Sequence, residues 1–302
     1  MKVEQNIVFD LETSDPDDIF ALALLATHPR SNLVAATVYP GGKDQIGLVK
    51  HVLEMLGKGS VPVGSGQPKE EKQRVSKFHT EWLGTIPPRE ADESAVEVIK
   101  RALTEFPDAQ LVTGAALSNI AKAAREVTPF FRSWTCQGGF AGDNIVPSEH
   151  RLPKFSGKTT CPTFNLGGDR RAADELLCKK PLPIPIVRLV AKNVCHGMFY
   201  SRDVDWRVPT GAHPGLDFIK KGMGYYFQKH PGGKALHDVV AAVVALNPQI
   251  GTWARVLPYC EKNGEWGCHS YDEMTHNDSD TEEPPVILTS IDKKEFERNL
   301  AM

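Results

Sequence analysis

The chain has 302 residues, 41% of them hydrophobic and 24% charged, with a formal net charge of -3. A chain of this length forms one large domain or two small ones, and this composition buries a core without disulfide or metal staples. Charges of both signs are scattered along it, which excludes a basic nucleic-acid footprint and a polybasic membrane anchor, and no apolar run approaches the ~18 residues of a spanning helix.

In chain order, the opening run Met1-Lys-Val-Glu-Gln-Asn-Ile-Val leads straight into a strand, so no signal peptide is expected and the protein is expected to be cytoplasmic. Residues 7–10 form a short buried strand. Asp17 or Asp18 then caps a helix over 19–28, and its near-continuous apolar positions mark it as buried. A strand follows at 33–38, a helix at 45–56 and a short strand at 61–63. An amphipathic helix at 93–106 precedes a strand at 109–113, and another helix spans 118–125. Residues 147–161 are long and irregular, as expected of a flap over a site. A helix at 169–178, a strand at 184–190 and a strongly apolar helix at 236–246 complete the alternation. Asn263-Gly264 between two short runs predicts a hairpin over 257–271. Alternating strands and helices without a convincing linker predict one α/β domain over 1–302, with a mostly parallel, Rossmann-like open sheet and a small C-terminal hairpin. Ligand sites in such sheets lie outside the carboxyl ends of the strands. The six cysteines include no C-x-x-C pair, so they are expected to be core or loop thiols rather than zinc ligands.

The chemistry concentrates at Asp10-Leu-Glu12-Thr-Ser-Asp15-Pro-Asp17-Asp18. Asp10 and Glu12 share a strand face, and three more carboxylates follow within a turn that opens a helix. Five carboxylates in nine residues, flanked by a buried strand and a buried helix, repel one another unless a hard cation such as Mg2+ or Ca2+ joins them. Downstream stand Thr113-Gly114-Ala-Ala-Leu117-Ser-Asn119, a strand end whose small residues let backbone approach a ligand, then Gln137-Gly-Gly-Phe-Ala-Gly-Asp-Asn144, Thr163-Phe-Asn165 and His237-Asp238. Each is weak alone.

Taken in order, these stretches resemble the nucleoside hydrolase family of inosine-uridine-preferring type, over essentially the whole chain. The family's opening Asp-x-Asp-Pro-Gly-x-Asp-Asp motif is similar to residues 10–18, its Leu-Thr-Asn-x-Ala turn to Leu117-Ser-Asn119-Ile-Ala121, and its late His-Asp to His237-Asp238. Its Gly-Gly strand end is similar to Gln137-Gly138-Gly139, and its Glu-Phe-Asn to Thr163-Phe164-Asn165. The resemblance implies Ca2+-dependent hydrolysis of the N-glycosidic bond of a ribonucleoside, in a homodimer or homotetramer serving purine and pyrimidine salvage. It implies a metal set drawn from Asp10, Glu12, Asp18, Asp238 and the carbonyl of Gly114, with Glu12 as general base and His237 as leaving-group acid. Asp17, Asn144, Thr163 and Asn165 would contact the substrate, with His79 at the pocket rim.

The chain departs from the pattern in several places. Glu12 stands where the family has Asp, and the motif carries an extra residue, with Thr13-Ser14-Asp15-Pro16 in place of Pro-Gly. Asp15 has no counterpart, and Thr163 replaces the family's pocket Glu. The turn after the second strand, Val38-Tyr-Pro-Gly-Gly42, lacks the family's Asn. Two other readings compete. Asp10-Leu-Glu12-Thr13 is similar to the first motif of DnaQ-type 3'-5' exonucleases, but no middle motif follows and His237-Asp238 are adjacent rather than spaced. A ribose-binding protein on a decayed hydrolase scaffold is the non-enzyme alternative. Trp82, Phe140, Tyr225, Tyr226 and Phe227 are candidates for stacking on a base, although packing is the commoner role of such aromatics.

Overall fold

The computed structural model describes residues 4–68, 74–127, 131–179, 184–272 and 283–302; residues 1–3, on which part of the leader reading rests, lie outside them. The strands, in chain order, are β1 (Gln5–Leu11), β2 (Ser31–Val38), β3 (Val63–Ser65), β4 (Glu93–Ser94), β5 (Gln110–Gly114), β6 (Ser133–Gln137), β7 (Thr160–Cys161), β8 (Val187–Val190), β9 (Phe199–Tyr200), β10 (Lys234–Ala235), β11 (Gly251–Cys260), β12 (Trp266–Ser270) and β13 (Val286–Ile291). The helices are α1 (Pro16–Thr27), α2 (Lys43–Met55), α3 (Lys77–Leu83), α4 (Ala95–Glu105), α5 (Ser118–Ala123), α6 (Phe164–Gly168), α7 (Arg170–Asp174), α8 (Lys192–Cys195), α9 (Arg202–Arg207), α10 (Pro214–Lys229), α11 (His237–Leu246) and α12 (Lys293–Leu300).

Among the described residues, one sheet of eleven strands runs in the order β4-β3-β2-β1-β5-β6-β8-β13-β11-β12-β7. Every pairing from β4 to β13 is parallel, and β11, β12 and β7 add antiparallel partners at one edge. This is the expected α/β architecture. The hairpin lies where Asn263-Gly264 placed it, with Gly264 at a φ of 92° and Glu261 N donating to Glu265 O at 2.8 Å. It is not an appendage: β11 pairs with β13 and so continues the main sheet.

Chain order reverses at β1. From there the sheet grows through β2 in one direction and through β5 in the other. A crevice therefore opens outside the carboxyl ends of β1 and β5, the switch point at which open α/β sheets hold ligands.

α1 begins at Pro16, three residues before the expected start, and Ile19 to Ala26 are fully buried without interruption. A helix apolar on all sides must be covered on all sides. α10 and α11 pack on it, and α11 is itself buried from Asp238 to Leu246. Each fully buried Leu, Ile or Phe in this layer contributes roughly 1.5–3 kcal/mol. α10, absent from the sequence-based expectation, approaches α1 so closely that a Cβ on Gly215 would sit 2.1 Å from the Ala23 carbonyl oxygen. The expected helix 169–178 is present but changes winding: α7 ends at Asp174 and continues as a π-helix over Glu175–Lys179. Residues 147–161 contain two short 3-10 turns and are tied down by Phe155 packed against Phe140 and by Arg151 donating to the Val146 carbonyl. No helix among the described residues is long and apolar enough to cross a membrane. All six cysteines are free thiols.

Gly215→Ala must push backbone against backbone, so it should cost about 2 kcal/mol of folding stability. Gly224→Ala, on the same helix but with open space at its Cβ, should be neutral or slightly stabilising. Urea denaturation checks the pair; equal midpoints for the two variants would contradict the close helix approach.

Candidate active site

The acidic run is folded by its own side chains. β1 places Asp10 in register between Thr37 of β2 and Thr113 of β5. Thr37 Oγ1 and Asn119 Nδ2 both donate to Asp10 Oδ1, at 2.6 and 2.8 Å, while Oδ2 is buried with no partner. Burial pushes Asp10 up to about 7, against the pull of those two hydrogen bonds. After β1 the chain turns, and Asp15, not Asp17 or Asp18, caps α1. Asp15 Oδ1 accepts from Asp17 N at 2.9 Å, and Asp18 Oδ2 accepts from Asp15 N at 3.0 Å. This is a reciprocal capping box with Pro16 at the first helical position, where its missing N–H costs nothing. Asp15, the residue without a family counterpart, is therefore the residue that starts the helix.

The second half of the site comes from α11. This helix has no side-chain cap of its own, and Asp17 Oδ2 accepts from Asp238 N at 2.6 Å in its place. The N-termini of α1 and α11 thus meet, and their partial positive charges face the carboxylates. The Asp18 and Asp238 carboxyls are neighbours, and the Asp238 charge adds to burial in raising Asp18. At the end of β5, a Cβ on Gly114 would fall 2.7 Å from Asp238 Oδ1, so any larger residue there would have to displace the carboxyl. Lys234, 9% exposed along its side chain, places Nζ 2.8 Å from Asp15 Oδ1. Burial raises Glu12 and Asp17 to about 7, and raises Asp18 and Asp238 further, with neighbouring carboxylates adding to the effect.

These groups line a cavity of about 410 Å3, with Glu12, Asp15, Asp17, Asp18 and Asp238 on its wall. The remaining wall carries Thr163, Phe164, Asn165, Lys192, His196 and His237. Gln137 fixes Asn165, whose Nδ2 donates to the Gln137 side-chain oxygen at 2.7 Å. The His237 ring lies edge-on to His196 with centroids 4.9 Å apart. Burial, then the Lys234 charge, pushes His237 down to about 4, so the ring is neutral at neutral pH.

Three expected residues are elsewhere. Asn144 is absent from the cavity wall, and its Nδ2 donates to the Cys268 carbonyl at 2.8 Å, so its amide ties a loop to β12. His79 is fully buried behind the acidic turn rather than at the rim, with Nε2 3.3 Å from the Asp15 carbonyl. Asp10 lies off the wall, held between Thr37 and Asn119. Of the aromatic candidates, Trp82 packs against Phe20, Phe78 and Phe218, and neither it nor Phe140, Tyr225, Tyr226 or Phe227 lines the cavity. Phe164 does, and it is 75% exposed. Lys192 and His196 were missed as well. They follow β8 directly, and the carboxyl end of a parallel strand was the available signal.

A cation fits this donor set. Among the described residues no group of His, Cys, Asp and Glu side chains is gathered as a finished coordination sphere. However, Asp238 Oδ1, on the cavity wall with Glu12 and Asp18, is a buried acceptor without a partner, and hard oxygen ligands of this kind suit Ca2+ or Mg2+. A divalent ion held by Asp18 and Asp238 would offset the repulsion between their neighbouring carboxyls.

A family profile described as inosine-uridine preferring nucleoside hydrolase matches residues 7–298. The chain is 31% identical over 274 residues to an uncharacterized protein of Aquifex aeolicus (strain VF5), covering 87% of this chain and 90% of that one. Its fold is similar to that of a plant nucleoside hydrolase, with a TM-score of 0.70 at 18% identity over 98% of both chains. It is also similar to a purine-preferring ribonucleoside hydrolase from Gardnerella vaginalis, with a TM-score of 0.66 at 20% identity over 98% of this chain and 97% of that one. An inosine-uridine preferring nucleoside hydrolase from Bacillus anthracis matches with a TM-score of 0.68 at 14% identity, over 98% and 97% of the two chains.

The buried carboxylates make a pH prediction for the metal-free protein. Asp10, Glu12 and Asp17 have folded values near 7, above their ordinary 3.8 to 4.5, so their contribution to stability is complete below about 4 and is lost as pH rises through 7. His79, His196 and His237 are depressed to about 4 and act in the opposite direction, but that contribution is complete once the pH exceeds the ordinary 6.5. In the presence of a chelator, the urea midpoint should therefore fall between pH ~6.5 and ~8.5. A rising midpoint over that window would mean that the carboxylates are not buried as described.

Proposed function

The chain belongs to the inosine-uridine preferring nucleoside hydrolase family and is an N-glycosidase, and from that premise we propose a metal-assisted mechanism on a ribonucleoside or related N-riboside, releasing base and ribose. The observation that carries the reading is the meeting of the α1 and α11 N-termini, which gathers Glu12, Asp17, Asp18 and Asp238 on one wall of a cavity at the sheet's switch point. The exonuclease alternative rested on the first four residues of the acidic run, and the family match over residues 7–298 displaces it.

We assign the metal site to Glu12, Asp18, Asp238 and the Gly114 carbonyl, with Ca2+ as the ion. Asp10 stands behind them and fixes Thr37 and Asn119. When bound, the ion supplies a Lewis acid that lowers the pKa of water and neutralises the clustered carboxylates. Glu12 reaches the cavity and takes the proton from the attacking water. Asp17 keeps Oδ1 free while Oδ2 is held by Asp238 N, and that free oxygen accepts a ribose hydroxyl. Asn165, fixed by Gln137, binds the sugar from the other wall. The carboxylates stabilise the positive charge that develops on the sugar ring as the C1'–N bond breaks. His237 acts on the departing base. Because its ring is neutral, it offers an N–H hydrogen bond rather than the proton of an imidazolium. A homodimeric or homotetrameric assembly and a place in cytoplasmic nucleoside salvage belong to the same proposal.

Exhaustive chelation should abolish base release and Ca2+ should restore it. Asp18→Ala and Asp238→Ala should each weaken calcium binding and lower kcat/KM by at least ~100-fold. Calorimetry that finds unchanged calcium affinity in both variants would remove them from the site. His237→Ala should slow ribosides with poor leaving groups more than activated aryl ribosides; equal losses on the two would contradict a role at the leaving group.

A further inference from the structure

The cavity that carries the carboxylates also carries a cationic group. Glu12, Asp15, Asp17, Asp18 and Asp238 line it, and so do Lys192 and His196. Lys192 Nζ donates to the Pro162 carbonyl at 2.7 Å, which holds the ammonium beside Thr163. Thr163 is only 6% exposed as a residue, lines the cavity, and its buried hydroxyl has no hydrogen-bond partner. Lys154 Nζ lies 3.0 Å from His196 Nδ1. An ammonium can only donate, so Nδ1 accepts and the ring proton sits on Nε2. Among the described residues no carboxylate pairs with Lys154 or Lys192, in contrast to Lys234, which is neutralised by Asp15. This group therefore offers an ammonium, an imidazole N–H and an unpartnered hydroxyl, all able to donate, with a second ammonium on His196. A donor set of this kind recognises an oxyanion.

We propose that Lys192, His196 and Thr163 bind an anionic substituent of the riboside and that the substrate class is a nucleoside 5'-monophosphate. The inference rests on the hydrolase reading above, in which the carboxylates hold the hydroxyl edge of the sugar. The base at C1' and the substituent at C5' are then the groups left for the cationic residues of the same cavity, and C5' is where a ribosyl group carries phosphate. The reaction is balanced: water oxygen bonds to C1', the C1'–N electron pair leaves with the base, one water proton goes to the base, and ribose 5-phosphate is released. The phosphate is untouched.

The test compares kcat/KM for inosine, uridine, their 5'-monophosphates and orotidine, which carries its anion on the base. The monophosphates should exceed the parent nucleosides by roughly tenfold or more. Lys192→Met should reduce that ratio about tenfold, and Lys192→Arg should largely keep it. In calorimetry, ribose 5-phosphate should bind more tightly than ribose, and Lys192→Met should erase the difference. Nucleosides turned over as fast as their monophosphates, or a ratio that Lys192→Met leaves unmoved, would overturn the proposal and leave the hydrolase reading standing. Preference for orotidine over both monophosphates would move the anion to the base and overturn the 5' assignment. Release of base from none of the five compounds would sink the hydrolase reading itself, whatever ribose 5-phosphate does in the calorimeter.

Discussion

Asp17 is a helical residue of α1 that performs the capping duty of a different helix. Its Oδ2 receives the Asp238 amide at 2.6 Å, and α11 has no cap of its own. An uncapped, buried helix start leaves amides unsatisfied, so this one bond closes the contact between two helices separated by more than two hundred residues of sequence. The geometry of the site follows from it. With α11 pinned to α1, Asp238 reaches Asp18 and the end of β5, and His237 turns onto the cavity wall.

The arrangement is electrostatically costly. Buried carboxylates raise one another's proton affinity, and desolvation dominates at Asp10, Glu12, Asp17, Asp18 and Asp238 alike. Three things offset that cost in the protein itself: the positive ends of two helices, the Thr37 and Asn119 donors at Asp10, and the Lys234 ammonium at Asp15. The Asp15 side chain is 47% exposed, so its pair with Lys234 is partly screened by water and contributes on the order of 1 kcal/mol. None of these devices satisfies the free oxygens of Asp10, Asp17 and Asp238. Stability is given up there for chemistry.

What was legible in the sequence followed from local pattern. β1 and α1 could be read because apolar residues surround the acids without a break, and the hairpin because Asn263-Gly264 has few other uses. α10 could not be read: Gly215, Gly222 and Gly224 depress its helical signal. Two of them are explained by contacts remote in sequence, since a Cβ would meet the Ala23 carbonyl at 2.1 Å and the Phe20 ring at 2.5 Å. β6, Ser-Trp-Thr-Cys-Gln, is too short and too mixed to show alternation. Glu12, Asp17, Asp18, Asn165 and His237-Asp238, which the structure brings to one cavity, were picked out by the order of their motifs. Lys234 was not, because Gly232-Gly233-Lys234 reads as a loop and its partner lies far away in the chain. Asn144 misled because an Asn within a glycine turn looks the same whether it holds a sugar or a neighbouring strand.

The close approach of Gly114 to Asp238 has a consequence for anyone recoding this scaffold. A side chain at 114 and a carboxyl at 238 compete for the same few ångströms, so the two positions are epistatic and not independently adjustable. A library randomised at 114 alone should favour glycine wherever the carboxyl at 238 keeps its place. A library randomised at both positions could recover folded chains with a small residue at each, and those chains would have exchanged the acidic floor of the cavity for an ordinary packed one.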